Sequence, residues 1–238
     1  MEKYRKALVE ELASRGNRDA ILELVRYYLD NPDDENFDAE ILKKYLLELA
    51  QKGDKKAMLI LGGQYYVGRY FPQSYKEAVK WYTKAADELD SYGLCYLGYC
   101  YYYGRDIDVD YEKAYNCFTQ SAYLENSNAM YKLGDMFFNG YYVKEDKETA
   151  FYWYDQALYD AHDNDYERAS IEYRLGKCYL HGYGVEPDLF LALKKLQSAE
   201  RHFFNTIEDD RFARLTLKWV KKELDIVRDR LYGKYEIE

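Results

Sequence analysis

A nucleophile beside a base, paired carboxylates, a metal-ligand cluster or a phosphate loop would mark this chain as a catalyst, and its residues offer little of each. The histidines are His162, His181 and His202, none of them in an HExxH arrangement. The cysteines Cys95, Cys100, Cys117 and Cys178 include no CxxC pair, and Cys178 with His181 at i, i+3 makes two ligands, which is not a zinc site. Gly182-Tyr183-Gly184 is not continued into GxGxxG or GxxxxGK[ST]. Core or near-core thiols and solvated carboxylates are the expectation, with no catalytic residue, no metal and no cofactor. What the chain has in excess is recognition chemistry. It holds 30 tyrosines against 3 prolines, and tyrosine buries a large area with few rotors while keeping a polar tip.

Those rings are carried by a repeat. Ala57, Leu61, Gly62, Tyr65, Gly68, Ala78, Trp81, Tyr82, Ala85 and Ala86 mark one copy. A step of about 36 residues returns Gly93, Leu97, Gly98, Tyr101, Gly104, Ala114, Phe118 and Ala122. The same step again returns Ala129, Leu133, Gly134, Phe137, Gly140, Ala150, Trp153, Tyr154 and Ala157. A last copy, set back by an insertion near 161–170, holds Ile171, Leu175, Gly176, Tyr179, Gly182, Ala192, Leu196 and Ala199. Such periodicity marks stacked units that cannot bury their apolar faces alone. Within a copy, the i, i+4, i+8 spacing of Ala57, Leu61 and Tyr65 predicts one helix and the stripe from Ala78 to Ala86 a second. Glycine beside Leu61 admits a close neighbour, and Gly68 suits a helix C-terminus. Ser74, Asp110, Asp146 and Asp188 are N-cap candidates for the second helices, each preceded by an apolar loop residue: Phe71, Ile107, Val143 or Val185.

A net charge of −9 argues against nucleic acid and anionic membrane surfaces as main partners, since both demand a basic footprint. The N-terminus lacks the apolar core of a signal peptide, and no stretch reaches transmembrane length. With reduced thiols, this predicts a cytoplasmic protein.

Ahead of the clear copies, Lys3–Arg15 reads as a short amphipathic helix with Tyr4, Leu8 and Leu12 on one side. Ala20, Leu24 and Tyr28 mark a first helix ended by Asn31-Pro32-Asp33-Asp34, and Phe37–Gln51 its partner, with Leu42, Tyr45, Leu46 and Leu49 inward. This opening copy lacks the Leu-Gly pair, Val25 standing in place of glycine, and Asp33–Glu35 is expected to be a solvated loop. The insertion AHDNDYER either lengthens a loop or extends the helix before Ile171. After Ala199 the repeat fades, and Ile207–Leu231 reads as a capping helix with Phe212, Leu215, Trp219, Val220, Leu224 and Val227 inward. Trp219 is expected to seal the final apolar face. The whole is an all-α solenoid in one domain, 1–238: a degenerate repeat at 1–56, four repeats at 57–92, 93–128, 129–170 and 171–206, and a cap at 207–238.

The pattern A-x-x-x-L-G-x-x-Y-x-x-G, then a cap, then A-x-x-W-Y-x-x-A, resembles the Sel-one-like repeat, a relative of the tetratricopeptide repeat. Its closest matches here are Ala57, Leu61, Gly62 and Tyr65 with Trp81, Tyr82, Ala85 and Ala86, and Gly182-Tyr183-Gly184-Val185. The resemblance covers about 57–200 and implies a right-handed α-α superhelix acting as an adaptor between proteins. Some secreted members staple each repeat with a disulfide, an arrangement these cysteines do not match. The resemblance also implies that first helices line the concave side, so their non-recurring positions form a groove. Those are Tyr66 in the first clear repeat; Tyr99, Tyr102 and Tyr103 in the second; Tyr131, Asp135, Phe138 and Asn139 in the third; Tyr173, Lys177 and His181 in the fourth. Tyr66, Tyr102 and Phe138 share one repeat position and are expected to form an aromatic ladder. The expected partner is a protein, as a peptide or a helix, bound by a monomer without nucleic acid, membrane insertion or a small ligand. A glycan or cell-wall fragment stacking on the same tyrosines is the alternative.

Overall fold

The computed structural model describes residues 3–34, 37–161, 165–205 and 211–233, and all regular structure among them is helical. Twelve helices follow one another: α1 (Lys3–Ser14), α2 (Arg18–Asp30), α3 (Ala39–Gln51), α4 (Lys55–Val67), α5 (Tyr75–Asp87), α6 (Ser91–Tyr103), α7 (Tyr111–Tyr123), α8 (Ser127–Asn139), α9 (Lys147–Asp160), α10 (Asp165–His181), α11 (Leu189–Asn205) and α12 (Arg211–Tyr232). They build an all-α solenoid of stacked antiparallel pairs, in which α4 packs on α5, α8 on α9 and α10 on α11. The chain divides into two compact units, residues 1–110 and 111–238.

Helix ends are set by side chains. Ser74 accepts a bond from the Glu77 amide, Asp146 from Thr149, and Asp188 from Phe190 and Leu191. The first helices carry their own caps, which the repeat reading missed: Asn17, Asp54, Asp90 and Asn126 accept from Ala20, Ala57, Gly93 and Ala129. Three first helices end on Gly68, Gly104 and Gly140 at φ of 73°, 65° and 68°, a region that favours glycine. The returning loops are tied the same way in every clear repeat. The amides of Ser74, Asp110, Asp146 and Asp188 donate at 2.9–3.0 Å to the carbonyls of Tyr65, Tyr101, Phe137 and Tyr179. Phe71 is fully inside, whereas Ile107, Val143 and Val185 are half-buried.

Most recurring positions are the core, with Tyr65, Tyr101, Phe137, Trp153 and Tyr179 half-buried. Ala57, Leu61, Ala78, Trp81, Tyr82 and Ala85 are buried in the N-terminal unit, and Ala129, Leu133, Ala150, Tyr154, Leu175 and Leu196 in the C-terminal unit. Glycine after the core leucine is a packing requirement. A Cβ on Gly62 would strike the Tyr82 ring, and one on Gly134 the Tyr154 ring. Ring and backbone meet where any side chain would hold the helices apart. Three cysteines are buried and Cys117 is half-buried. Burial pushes the Cys117 thiol up to about 11 and the Cys178 thiol up to about 12, so both stay protonated and inert.

Three expectations change, and one open alternative is decided. Leu8 is 55% exposed, and Val9 with Ala13 takes the inward side of α1, a rotation by one residue; the Tyr4 side chain lies outside the described residues. Trp219 seals nothing: it is 57% exposed and Leu215 43%, because α12 turns Ala213, Leu217, Val220, Leu224 and Val227 inward. Their spacing of four, three, four and three fills one stripe of a 3.6-residue helix, and Trp219 lies off it. Phe212 and Ile207 lie outside the described side chains. Asp34 is no solvated loop residue, since both its carboxylate oxygens bind the Lys6 ammonium at 2.5 and 2.6 Å and one also accepts from the Tyr27 hydroxyl. The insertion extends a helix, making α10 17 residues long where α4, α6 and α8 have 13; its residues 162–164 lie outside the description. No helix among the described residues is long and apolar enough to cross a membrane.

Candidate protein-binding face

The non-recurring residues of the first helices fall into two clusters, one in each unit. In the N-terminal unit, α4 presents Tyr66 and α6 presents Tyr99, Tyr102 and Tyr103. The Tyr99 and Tyr103 rings stack at 5.9 Å, and Tyr102 meets Tyr103 edge-on at 4.8 Å. Tyr66 meets Tyr75 edge-on at 5.2 Å. A residue that the helix-based reading omitted joins them. The Arg105 guanidinium, just past the α6 C-cap, lies 6.0, 5.3 and 5.7 Å from the centres of Tyr66, Tyr75 and Tyr103. Its Nε donates to the Tyr66 hydroxyl at 3.2 Å. Burial pushes the Tyr66 hydroxyl pKa up, with Arg105 working in the other direction. Tyr103 remains 44% exposed, while Tyr66, Tyr99 and Tyr102 are half-buried. A sequence signal for Arg105 existed: Arg69 and Arg105 both directly follow a C-cap glycine.

In the C-terminal unit, α8 and α10 contribute the remaining residues, and their chemistry divides by depth. Tyr131 and Asp135 are buried, at 6% and 9% exposure. Asp135 receives Arg174 Nε at 2.5 Å and Nη2 at 2.7 Å, the Tyr154 hydroxyl at 3.0 Å and Lys132 Nζ at 3.4 Å. Arg174 also donates to the Ser170 carbonyl and lies 4.8 Å from the Tyr131 ring centre. Burial works against ionisation of Asp135, yet Arg174 and Lys132 override it and hold the carboxyl at about 2. Asp135 and Tyr131 therefore join α8 to α10 from within. Asn139 is exposed and turns its amide back onto the Asp135 carbonyl at 2.7 Å.

Nearer solvent lies a second layer. Phe138 is half-buried and meets Tyr183 edge-on at 5.3 Å. Lys147 stands 3.5 Å above the Phe138 ring centre, donates to the Phe138 carbonyl and pairs with Glu145 at 3.1 Å. Lys177 sits over Phe138 at 5.8 Å and over Tyr173 at 5.6 Å. Burial pushes the Tyr173 hydroxyl up to about 12. His181 lies 5.2 Å from Tyr183 and faces Glu223 of α12 with Nε2 at 3.0 Å. Arg174, Lys147 and Tyr183 were absent from the sequence-derived site; Tyr183 follows Gly182 as Arg105 follows Gly104, and Lys147 follows the Asp146 cap as Tyr75 follows Ser74.

These faces can stack, donate hydrogen bonds and hold charge. Among the described residues no group of histidine, cysteine and carboxylate side chains is placed to hold a metal ion.

A family model for the Sel1 repeat matches residues 55–88, 91–126, 127–162 and 171–199, together more than half of the chain. No curated protein matches it. Among solved structures, it resembles a Sel1 repeat protein from Oxalobacter formigenes at a TM-score of 0.66 and 22% identity, over 94% of this chain and 98% of that one. A putative Sel1 repeat protein from Klebsiella pneumoniae subsp. pneumoniae aligns at 0.53 and 18%, over 93% and 98%. A protective antigen of uropathogenic Escherichia coli displaying an SLR fold aligns at 0.61 and 22%, over 97% of this chain and 53% of that one, so the chain spans about half that antigen's length. With four matched repeats and the same helix-pair architecture, the chain belongs to the Sel1 repeat family, whose solenoids have a general role in protein–protein interaction.

Proposed function

We propose that this chain holds a partner protein, as an extended peptide or a single helix, on the aromatic faces of its first helices. The proposed setting is the cytoplasm, where free thiols stay reduced, and the proposed acting form is a monomer. One observation carries the reading. Tyr103, Phe138 and Tyr173 lie at positions the repeat does not require, keep part of their rings in solvent, and each carry a cation over the ring. Trp81 and Phe118, at recurring positions, are closed over, whereas the recurring Tyr65, Tyr101, Phe137 and Tyr179 are half-buried. Partly open rings beside polar tips are the usual anchors of an interface.

The test is capture of a partner by wild type and by a Tyr103→Ala/Phe138→Ala/Tyr173→Ala variant, both checked for helicity by circular dichroism. Capture by wild type and loss by the folded variant is the expected result. Equal capture by both would move binding away from these faces. Displacement of the partner by cell-wall oligosaccharides and not by peptides would favour glycan recognition.

A further inference from the structure

We infer that these faces select acidic peptide segments, with Lys177 in the C-terminal unit and Arg105 in the N-terminal unit receiving the carboxylates. This rests on the interaction role proposed above and adds the chemistry of the partner. The chain carries 43 acidic residues against 34 basic ones, so a cation on its surface has carboxylates to choose from. Many of its cations do find one: Lys6 binds Asp34, Arg15 binds Glu11, Lys80 binds Glu77 and Arg174 binds Asp135. Lys177 and Arg105 depart from that pattern, as do Lys43, Arg69 and Lys84, which also lie over rings. Among the described residues, neither Lys177 nor Arg105 has a carboxylate within ion-pair distance.

Both instead lie against aromatic rings on the proposed binding faces. A ring face attracts a cation but accepts no conventional hydrogen bond from it. The three N–H donors of Lys177 have no acceptor among the described residues, and the Arg105 guanidinium uses only Nε, on Tyr66. The acids of the C-terminal face are already committed. Asp135 is enclosed by Arg174, Lys132 and Tyr154, Glu145 pairs with Lys147, and Glu223 faces His181. What each face still offers a ligand is a half-buried positive charge framed by rings. A peptide carboxylate placed on that charge would make charge-assisted hydrogen bonds, while the flanking apolar part of the peptide covers Phe138 and Tyr173, or Tyr103. Partial burial favours the contact, since water screens it less than at an open surface.

The experiment is selection of a random peptide library on the immobilised full chain. Three proteins are compared: wild type, an Arg105→Gln/Lys177→Gln variant, and a Phe138→Ala/Tyr173→Ala/Tyr103→Ala variant, with helicity confirmed for each. Peptides recovered on wild type are expected to be enriched in Asp and Glu over the starting library. Their affinity should fall about tenfold on the charge variant, and equally when their acids are changed to Asn and Gln. An Arg105→Lys/Lys177→Arg variant should retain most of the binding, which separates charge from packing. Recovered peptides without acidic enrichment, or peptides indifferent to the charge variant, overturn the inference. If such peptides still lose affinity for the ring variant, the binding face stands and only its acidic selectivity fails. If the ring variant binds them like wild type, or if no peptide is recovered, the face itself is misassigned and this inference falls with it.

Discussion

The two units are cut from the same repeat, yet one repeat position divides them. It holds Gly63 and Tyr99 in the N-terminal unit and Asp135 and Lys177 in the C-terminal unit. In α6 the position adds a ring that stacks on Tyr103. In α8 it plants a carboxylate that the chain closes over with Arg174 from α10. The scaffold around the position is alike, since Tyr82 and Tyr154 fill the same slot beside glycine in α4 and α8. Helix placement and face chemistry are therefore separable. The recurring residues hold the pairs together, and the non-recurring ones decide whether a face is stacked rings or buried charge.

The most severe way to break that contrast is Asp135→Ala. It removes the carboxylate that Arg174 and Lys132 share, and a loss of about 3–5 kcal/mol in urea unfolding is expected. Tyr99→Leu, at the matching position of α6, should cost far less. A loss below about 1 kcal/mol for Asp135→Ala would mean that the cluster is solvated and the contrast empty.

The same carboxylate sets a pH window. Its folded pKa, about 2, lies below its unfolded value, so its stabilisation is full above the unfolded pKa and disappears as pH falls through the folded one. Stability should drop by about 2 kcal/mol between pH 5 and pH 2 on this account. That component should be missing from Asp135→Asn and so appear in the difference between wild type and variant, and an unchanged acid limb in the variant would assign the effect elsewhere.

Gly62→Ala and Gly134→Ala test the shared scaffold. Each methyl would meet a tyrosine ring, and about 1–3 kcal/mol of destabilisation is expected from overpacking, partly offset by alanine's helix preference. Similar values in both units support a common scaffold, whereas a large difference would show that the slots are not equivalent. Removing a cap with Ser74→Ala or Asp146→Ala should cost about 1 kcal/mol in either unit. Smallest of all, Trp219→Gln should change stability by less than about 0.5 kcal/mol, since the ring is mostly in water. A large loss there would restore the sealing role.

Much of the fold was legible because it is local and repeated. The leucine-glycine pair, the C-cap glycines and the alanine stripe concern residues three or four apart, and four copies of one pattern average out accidents of composition. The first-helix caps Asp54, Asp90 and Asn126 were equally local and equally periodic; they were overlooked because they sit between repeats as the pattern was cut. The outcome at Trp219 and Leu8 was harder to read. Both lie in terminal helices, where a single copy leaves the phase of the apolar stripe open to a shift of one residue. On the candidate faces, aromatic character was plain in the sequence, and the division into buried and open rings was not.

The sequence by itself determined the helix pairs and their close crossings at Gly62 and Gly134. Both follow from spacings inside one repeat, which a helix converts directly into neighbours. Tertiary structure alone decided which charges meet. Arg174 reaches Asp135 across 39 residues and Lys6 reaches Asp34 across 28. A charge pairs with whatever the packed helices bring within a few ångströms, and no periodicity records that choice. The same packing leaves Lys177 and Arg105 on their rings with no carboxylate beside them among the described residues.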